Sequence, residues 1–212
     1  MHTELSRRER KKEETRHRIF HAAIDLFRER GFENTTVDEI TEKADVAKGT
    51  FFNYFPRKDA VLAYLSEDRL QAVEENAGVM LAESRPARER LLDLYATAAS
   101  GYEEDRTLSR YVLVELMNRL FAPGEESVMR WHELVVKLIS QGQLSGEIRR
   151  DVDPLRIESV LTSLHYATLY QWVCEGAAAC AQPNPVAEAQ FIPDLQKELR
   201  ERLTLVMEGI AS

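Results

Sequence analysis

Between Thr15 and Lys58 the chain carries helix start and stop signals so closely spaced that only short helices sharing one small core fit between them. Ile19, Ala22, Ala23, Leu26 and Phe27 fall at i, i+3, i+4, i+7 and i+8, an apolar stripe along a helix from about residue 15 to residue 30. Gly31 ends it as a C-terminal glycine does. Thr36-Val37-Asp38-Glu39 is a capping box, in which the Thr36 hydroxyl accepts from the Glu39 amide and the Glu39 carboxylate reaches back. It starts a short helix with Val37, Ile40 and Ala44 inward. After Asp45-Val46 a second short helix, from about residue 47 to 54, has Phe51, Phe52 and Phe55 as its apolar positions, and Pro56 prevents its smooth continuation. Two short helices joined by a tight turn and braced by a third are a helix-turn-helix.

That arrangement is specific about residue type. The second helix must give one face to the core and present short polar groups on the other. Lys48, Thr50, Asn53 and Tyr54 are polar beside the phenylalanines. Asn pairs bidentately with adenine, Thr offers a methyl to thymine, and Lys reaches guanine or phosphate. Gly49 allows close backbone approach. The amides that open the Thr36 helix form a phosphate site, and Lys58 adds a cation.

The rest reads as helix as well: about 60–83, a helix after Pro86 marked by Leu91, Leu94, Tyr95, Ala98 and Tyr102, then about 107–121 and 125–141, an uncharged helix from Pro154 to about Gly176, and a last one marked by Leu195, Leu199, Leu203, Val206 and Ile210. Gln143–Asp153 reads as a polar loop and Ala177–Pro193 as a mobile connector. The fold expected is all-α: residues 1–14 a basic mobile arm, 15–58 the helix-turn-helix domain, 59–212 a helical ligand-binding and dimerisation domain. The uncharged run between Glu158 and Glu175 falls short of the roughly 20 residues that cross a bilayer. No membrane partner is expected, and without a secretory signal the expected location is the cytoplasm.

Charge divides the same way. The chain as a whole is at -8, yet its first 60 residues are net +1 and the rest -9, so polyanion contact is confined to the N-terminal part. Catalytic patterns are absent from the sequence: there is no His-Glu-x-x-His, no phosphate-binding glycine motif and no two Glu-x-x-His motifs of the kind that builds di-iron sites in helical bundles. Neither metal nor cofactor is expected, Cys174 and Cys180 match no zinc or redox spacing, and an enzyme is not the reading. The alternative is a non-catalytic helical adaptor using the helix-turn-helix for protein contacts, which would not require polar Thr50, Asn53 and Tyr54 opposite a phenylalanine core.

Gly31-Phe32, Thr35-Thr36-Val37, Ile40, Ala44, Val46, the run Lys48-Gly49-Thr50-Phe51-Phe52-Asn53-Tyr54-Phe55 and Lys58-Asp59 resemble the DNA-binding domain of the TetR family of transcriptional regulators. Gly146-Glu147-Ile148-Arg149 with Asp151 and Asp153-Pro154 is a weaker likeness to that family's C-terminal domains. The resemblance implies a homodimer that binds a palindromic double-stranded DNA operator and responds to a small-molecule effector, as a repressor released by that effector. By position it implies that Thr36, Thr50 and Tyr54 touch phosphates, that Lys48, Gly49 and Asn53 lie along the major groove, and that Lys58 pairs with a phosphate. Asp45 stands where the family usually has Gly, Ala47 where it has Ser, Phe52 where Tyr is common, and Arg57 replaces a small polar residue.

In the C-terminal part, Met117, Phe121, Tyr166 and Tyr170 are candidates for the effector pocket. Leu164, Trp172, Leu195, Leu199 and Leu203 are candidates for the dimer interface, because two continuous apolar helix faces suit a four-helix interface with a second copy.

Overall fold

The structure is a computed structural model that describes residues 6–120, 126–174 and 192–210. Phe121, Cys180 and most of the connector expected over Ala177–Pro193 lie outside the described residues. The described residues form helices and no strand: α1 (Arg7–Arg30), α2 (Val37–Lys43), α3 (Lys48–Tyr54), α4 (Ala60–Ala82), α5 (Ala87–Glu103), α6 (Arg106–Leu120), α7 (Glu126–Ser145), α8 (Pro154–Cys174) and α9 (Leu195–Ile210). The chain divides into two compact units, residues 1–65 and 66–212, and α4 contributes to both.

In the first unit α1 begins well before its apolar stripe. The Ser6 hydroxyl accepts from the Glu9 amide at 3.3 Å and the Glu9 carboxylate accepts from the Ser6 amide at 2.8 Å, a capping box that makes residues 7–14 helix rather than a mobile arm. Gly31 ends α1 with φ 84, its amide donating to the Phe27 carbonyl at 2.9 Å. Ile19, Ala23, Leu26 and Phe27 of α1 are buried, as are Ile40 of α2, Phe51 of α3, and Phe55, Val61 and Leu62. Thr36 and Glu39 form the expected box. The turn to α3 places Asp45 at φ 51, a left-handed conformation that Asp tolerates, and the Val46 amide donates to the Thr41 carbonyl at 3.0 Å. Ala47 begins α3 without a side-chain cap.

The second unit packs α5 against α9 and α7, and α8 against α7, α9 and α6. Two helix starts are capped from far along the chain. The Glu147 carboxylate accepts from the Ala87 amide of α5 at 2.7 Å, and Glu103 accepts from the Leu195 amide of α9 at 2.7 Å. Carboxylates at helix N-termini satisfy unpaired amides and complement the dipole. The loop expected at Gln143 starts later, since α7 continues to Ser145, and Gly146 makes the turn at φ 83.

The apolar stripe of α9 corrects the expected dimer interface. Leu195, Leu199 and Leu203 are each 1% exposed in the single chain, on the helix that packs against α5 and α8. They leave no surface for a second copy. Trp172 is likewise buried, with the Arg106 guanidinium 4.9 Å from its ring centre. Leu164 keeps intermediate exposure.

Candidate functional site

The candidate site of the first unit is the outer face of α3. A seven-residue helix has two turns, and positions three or four apart, here Phe51 and the C-capping Phe55, share its buried side. Phe51 and Phe55 occupy them, with ring centres 5.8 Å apart. Phe52, expected in the core with them, is 47% exposed because it stands one residue, about 100°, away from Phe51. It joins Lys48, Gly49 and Asn53 on the exposed side, while Thr50 and Tyr54 are half-buried at its margins. Lys48 lies 2.7 Å from Asp38 at the start of α2, an exposed pair that is cheap to exchange for a phosphate. The Thr36 hydroxyl, expected on a phosphate, already serves Glu39: it accepts from the Glu39 amide at 3.2 Å and donates to the carboxylate at 2.9 Å. The Thr36 amide, which donates to the Glu39 carboxylate at 2.8 Å, and then the hydroxyl hold the Glu39 carboxyl below its usual range.

Lys58 departs furthest from expectation. Its ammonium donates to the Phe32 carbonyl at 2.6 Å and the Thr35 carbonyl at 2.9 Å, and sits 4.2 Å from the centre of the Phe32 ring. It therefore fastens the α1–α2 turn, where the sequence reading had placed it on a phosphate. Thr35, part of the motif that carries the resemblance but given no role there, works on the same turn, its buried hydroxyl donating to the Gly31 carbonyl at 2.9 Å. Arg57 is exposed beside Asp59 at 3.2 Å.

In the second unit a cavity of about 70 Å³ is walled by Ser66, Arg69, Leu70 and Val73 of α4, Ala98 and Tyr102 of α5, Leu116 of α6, Ser127, Val128 and Trp131 of α7, and His165 and Tyr166 of α8. That is room for about five to seven water-sized groups at 10–15 Å³ each. Of the three expected pocket residues that are described, Tyr166 lines it and Met117 and Tyr170 do not. Tyr170, one turn on, is 59% exposed. Met117 is half-buried but its neighbour Leu116 takes the wall position, and Phe121 is outside the described residues.

The polar groups of the cavity are few. The Arg69 guanidinium lies 5.1 Å from the centre of the Tyr102 ring. Gly101 makes room for it, since a Cβ there would meet Arg69 Cδ at 3.3 Å. His165 stacks on Trp131 with centres 5.9 Å apart, and burial pulls its imidazole down to about 4, so the ring is neutral at neutral pH. His165 Nδ1 and Ser66 Oγ are buried without a hydrogen-bond partner among the described residues. Burial also raises Tyr102 and Tyr166, keeping both as phenols. Arg130 of α7 pairs with Glu74 at 2.8 Å and with Glu67, bracing α4 beside the cavity. Among the described residues no helix is long and apolar enough to cross a membrane, and no cluster of three or more His, Cys, Asp or Glu is placed to hold a metal.

Comparison with known proteins bears on both units. Residues 19–65 match the family model described as bacterial regulatory proteins, tetR family. The chain is 30% identical over 162 residues to YdeS of Bacillus subtilis (strain 168), an uncharacterized HTH-type transcriptional regulator, spanning 70% of this chain and 75% of YdeS. It is 24% identical over 158 residues to the fatty acid metabolism regulator protein of the same organism, spanning 73% and 81% of the two chains. Among solved structures, that of Thermus thermophilus FadR, a TetR family transcriptional repressor in complex with lauroyl-CoA, is 30% identical and superposes over 92% of this chain and 94% of its own with a TM-score of 0.65.

Proposed function

This chain belongs to the TetR family and is a ligand-responsive, DNA-binding transcriptional regulator, and we propose that it is a repressor whose α3 reads the two halves of a palindromic operator and whose release follows effector binding in the α4–α8 cavity. The observation that carries the reading is the division of labour on α3: Phe51 and Phe55 are buried, and Lys48, Gly49, Phe52 and Asn53 are exposed together. In this reading Asn53 and Lys48 meet base edges, Gly49 admits the backbone, and Thr50 and Tyr54 meet phosphates. Phe52 adds an apolar surface of the kind that packs on a thymine methyl. Thr36 contributes through the α2 amides that its capping leaves in place. Lys58 is reassigned as a fastener of the α1–α2 turn.

Two reading heads require a second copy, because half-sites recur about 34–36 Å apart or at a multiple of that. We assign the contact to an exposed stripe of α8 bearing Val160, Leu164 and Tyr170, with Leu205 of α9. Val160 and Tyr170 are more than half exposed, and Leu205 is 71% exposed. Val160 and Leu164 stand one turn apart on α8 and Tyr170 lies about 80° round the helix from Val160; large apolar side chains exposed on two neighbouring helices fit a four-helix interface. Replacing both Val160 and Tyr170 with Glu should halve the solution mass from twice the 24.3 kDa chain and weaken operator binding at least a hundredfold. A dimer that survives both charges would place the interface elsewhere.

The effector acts by linkage. A molecule in the cavity bears on Ser66, Arg69, Leu70 and Val73, all on the helix that also contributes to the DNA-reading unit. It weakens DNA binding only as far as it prefers a conformation of α4 that does not bind DNA. We infer no catalytic step for these residues.

The deciding experiment is selection of bound sequences from a randomised duplex library at physiological salt, with the solution mass measured alongside. A palindrome recovered by a dimer supports the reading; no enriched sequence from a folded protein favours an adaptor. On the recovered site, Asn53→Ala should reduce discrimination against substituted bases by about 1–3 kcal/mol while binding to unrelated DNA stays the same. Equal weakening on every sequence would move Asn53 from base edge to phosphate.

A further inference from the structure

We propose that the charged start of α1 is a second DNA contact, a helix face bearing Arg7, Lys11 and Arg18 that lies along the phosphate backbone of bound DNA and reads no bases. The inference rests on the reading of the first unit as the DNA-binding one, and assigns a part of that contact to residues the α3 face leaves unused. Residues 7–18 carry seven basic and three acidic side chains in a chain whose net charge is -8. Arg7, Lys11, Thr15 and Arg18 stand at i, i+4, i+8 and i+11 of α1, which puts them in one stripe. The three cations are exposed, and Lys11, Thr15 and Arg18 share the wall of one shallow surface depression with Glu14 and His17.

Partners set these cations apart from the others of the unit. Around α2 and α3, Lys43 pairs with Asp25 at 3.3 Å and Glu29 at 3.2 Å, Arg30 with Glu39 at 2.7 Å, Lys48 with Asp38 and Arg57 with Asp59, while Lys58 is held by two carbonyls. On α1 the Glu13 carboxylate is taken by Arg16 at 3.6 Å and His17 at 3.4 Å, and Arg7, Lys11 and Arg18 have no ion pair among the described residues. Their placement also works against the helix. Cations in a first turn meet the positive end of the dipole, and Arg7–Arg10, Arg7–Lys11, Arg8–Lys11 and Arg8–Lys12 are like-charge pairs three or four apart. The Ser6 and Glu9 capping box holds the segment helical in spite of them. A fixed row of unpaired cations that weakens its own helix is complementary to a polyanion, since each phosphate it neutralises releases condensed counterions. From Arg7 to Arg18 the row is about 16 Å long at 1.5 Å per residue, and B-DNA carries one phosphate per about 1.7 Å of axis, so three cations can meet three phosphates at once.

Fluorescence anisotropy of the full-length protein on the selected operator and on an unrelated duplex of the same length, over about 50 to 300 mM salt, tests the assignment. The triple variant Arg7→Gln, Lys11→Gln and Arg18→Gln should weaken both duplexes by a similar factor and reduce the slope of log affinity against log salt by about 2–3 for each chain bound, close to 0.9 per phosphate lost. Glu14→Gln, which removes a carboxylate from the same face, should strengthen binding to both. The far-UV circular dichroism melt of the triple variant should stay within about 4 °C of the wild type, because the changes lie on the surface and remove like-charge pairs. A larger fall would make these cations structural and overturn the proposal. An unchanged slope in the triple variant, affinity lost on the operator alone, or weaker binding by Glu14→Gln would overturn it as well. An unchanged slope on an operator that Asn53→Ala still disturbs leaves the α3 reading standing. A slope that falls on the unrelated duplex when no operator can be selected retains the α1 contact and removes the sequence-reading role of α3.

Discussion

Lys58→Ala should cost the DNA-reading unit about 2–4 kcal/mol and abolish tight operator binding as a consequence of unfolding its recognition turn. The ammonium makes two hydrogen bonds to carbonyls, at 2.6 and 2.9 Å, and a cation–π contact with Phe32. Bonds to a charged group contribute about 1.5–3 kcal/mol each, less where water competes, and this site is half-buried. Loss of the cation also leaves the Phe32 and Thr35 carbonyls to find other donors at the turn that delivers α2. Hydrogen exchange of residues 32–36 and far-UV circular dichroism melts measure the effect. Tryptophan fluorescence does not, because Trp131 and Trp172 both belong to the second unit. The salt dependence decides between the two roles open to this lysine. A phosphate contact would reduce the slope of log affinity against log salt by about one while stability stayed constant. A fastener lowers stability and leaves the slope of the remaining folded protein alone.

Thr162→Val should be the most damaging conservative change in the second unit, at about 2–5 kcal/mol. One hydroxyl on α8 serves two large buried side chains: the Trp131 indole N–H donates to it at 3.1 Å, and the Tyr95 hydroxyl is 3.0 Å away. Tyr95 is 1% exposed, and burial, reinforced by the negative charge of Glu158, raises its hydroxyl far above the ordinary range. Valine keeps the shape and deletes the oxygen, leaving both groups unpaired out of reach of water, at about 1–3 kcal/mol each. At about 2–4 °C per kcal/mol for a unit of this size, the melting temperature should fall by roughly 5–15 °C. Tryptophan fluorescence melts report it directly. Adding Tyr95→Phe to Thr162→Val should recover part of the loss, since removing both partners of a buried bond is less costly than removing one. A single-variant loss under about 1 kcal/mol would mean that water or a shifted side chain replaces the hydroxyl.

The helix-turn-helix was the most legible part of the chain because its signals are local. The Thr36 and Glu39 box and the glycine at the end of α1 each act within a few residues, and each is where the spacing put it; the left-handed Asp45 stands where the resemblance implies a glycine. The same logic was available at the start of α1. Ser6 and Glu9 stand at capping-box spacing, but a run of charged residues and no apolar residue follows them closely. Phe52 was legible as well, since a two-turn helix cannot bury three aromatics when one is adjacent to another.

Residue types and periodicity determined the all-helical class, the reading helix and the side of each helix that would be buried, because capping and amphipathicity depend on near neighbours in the chain. Only the tertiary structure decided what each buried side would meet. The leucines of α9 were certain to leave water, but whether a second copy or α5 and α8 covered them depends on helices that lie far from α9 in sequence, α5 (Ala87–Glu103) and α8 (Pro154–Cys174). Lys58 had the charge for a phosphate, but two carbonyls brought within 3 Å by the α1–α2 turn offered a nearer partner. Long-range partners of this kind are set by packing geometry, and a pattern of neighbours along one chain carries no measure of it.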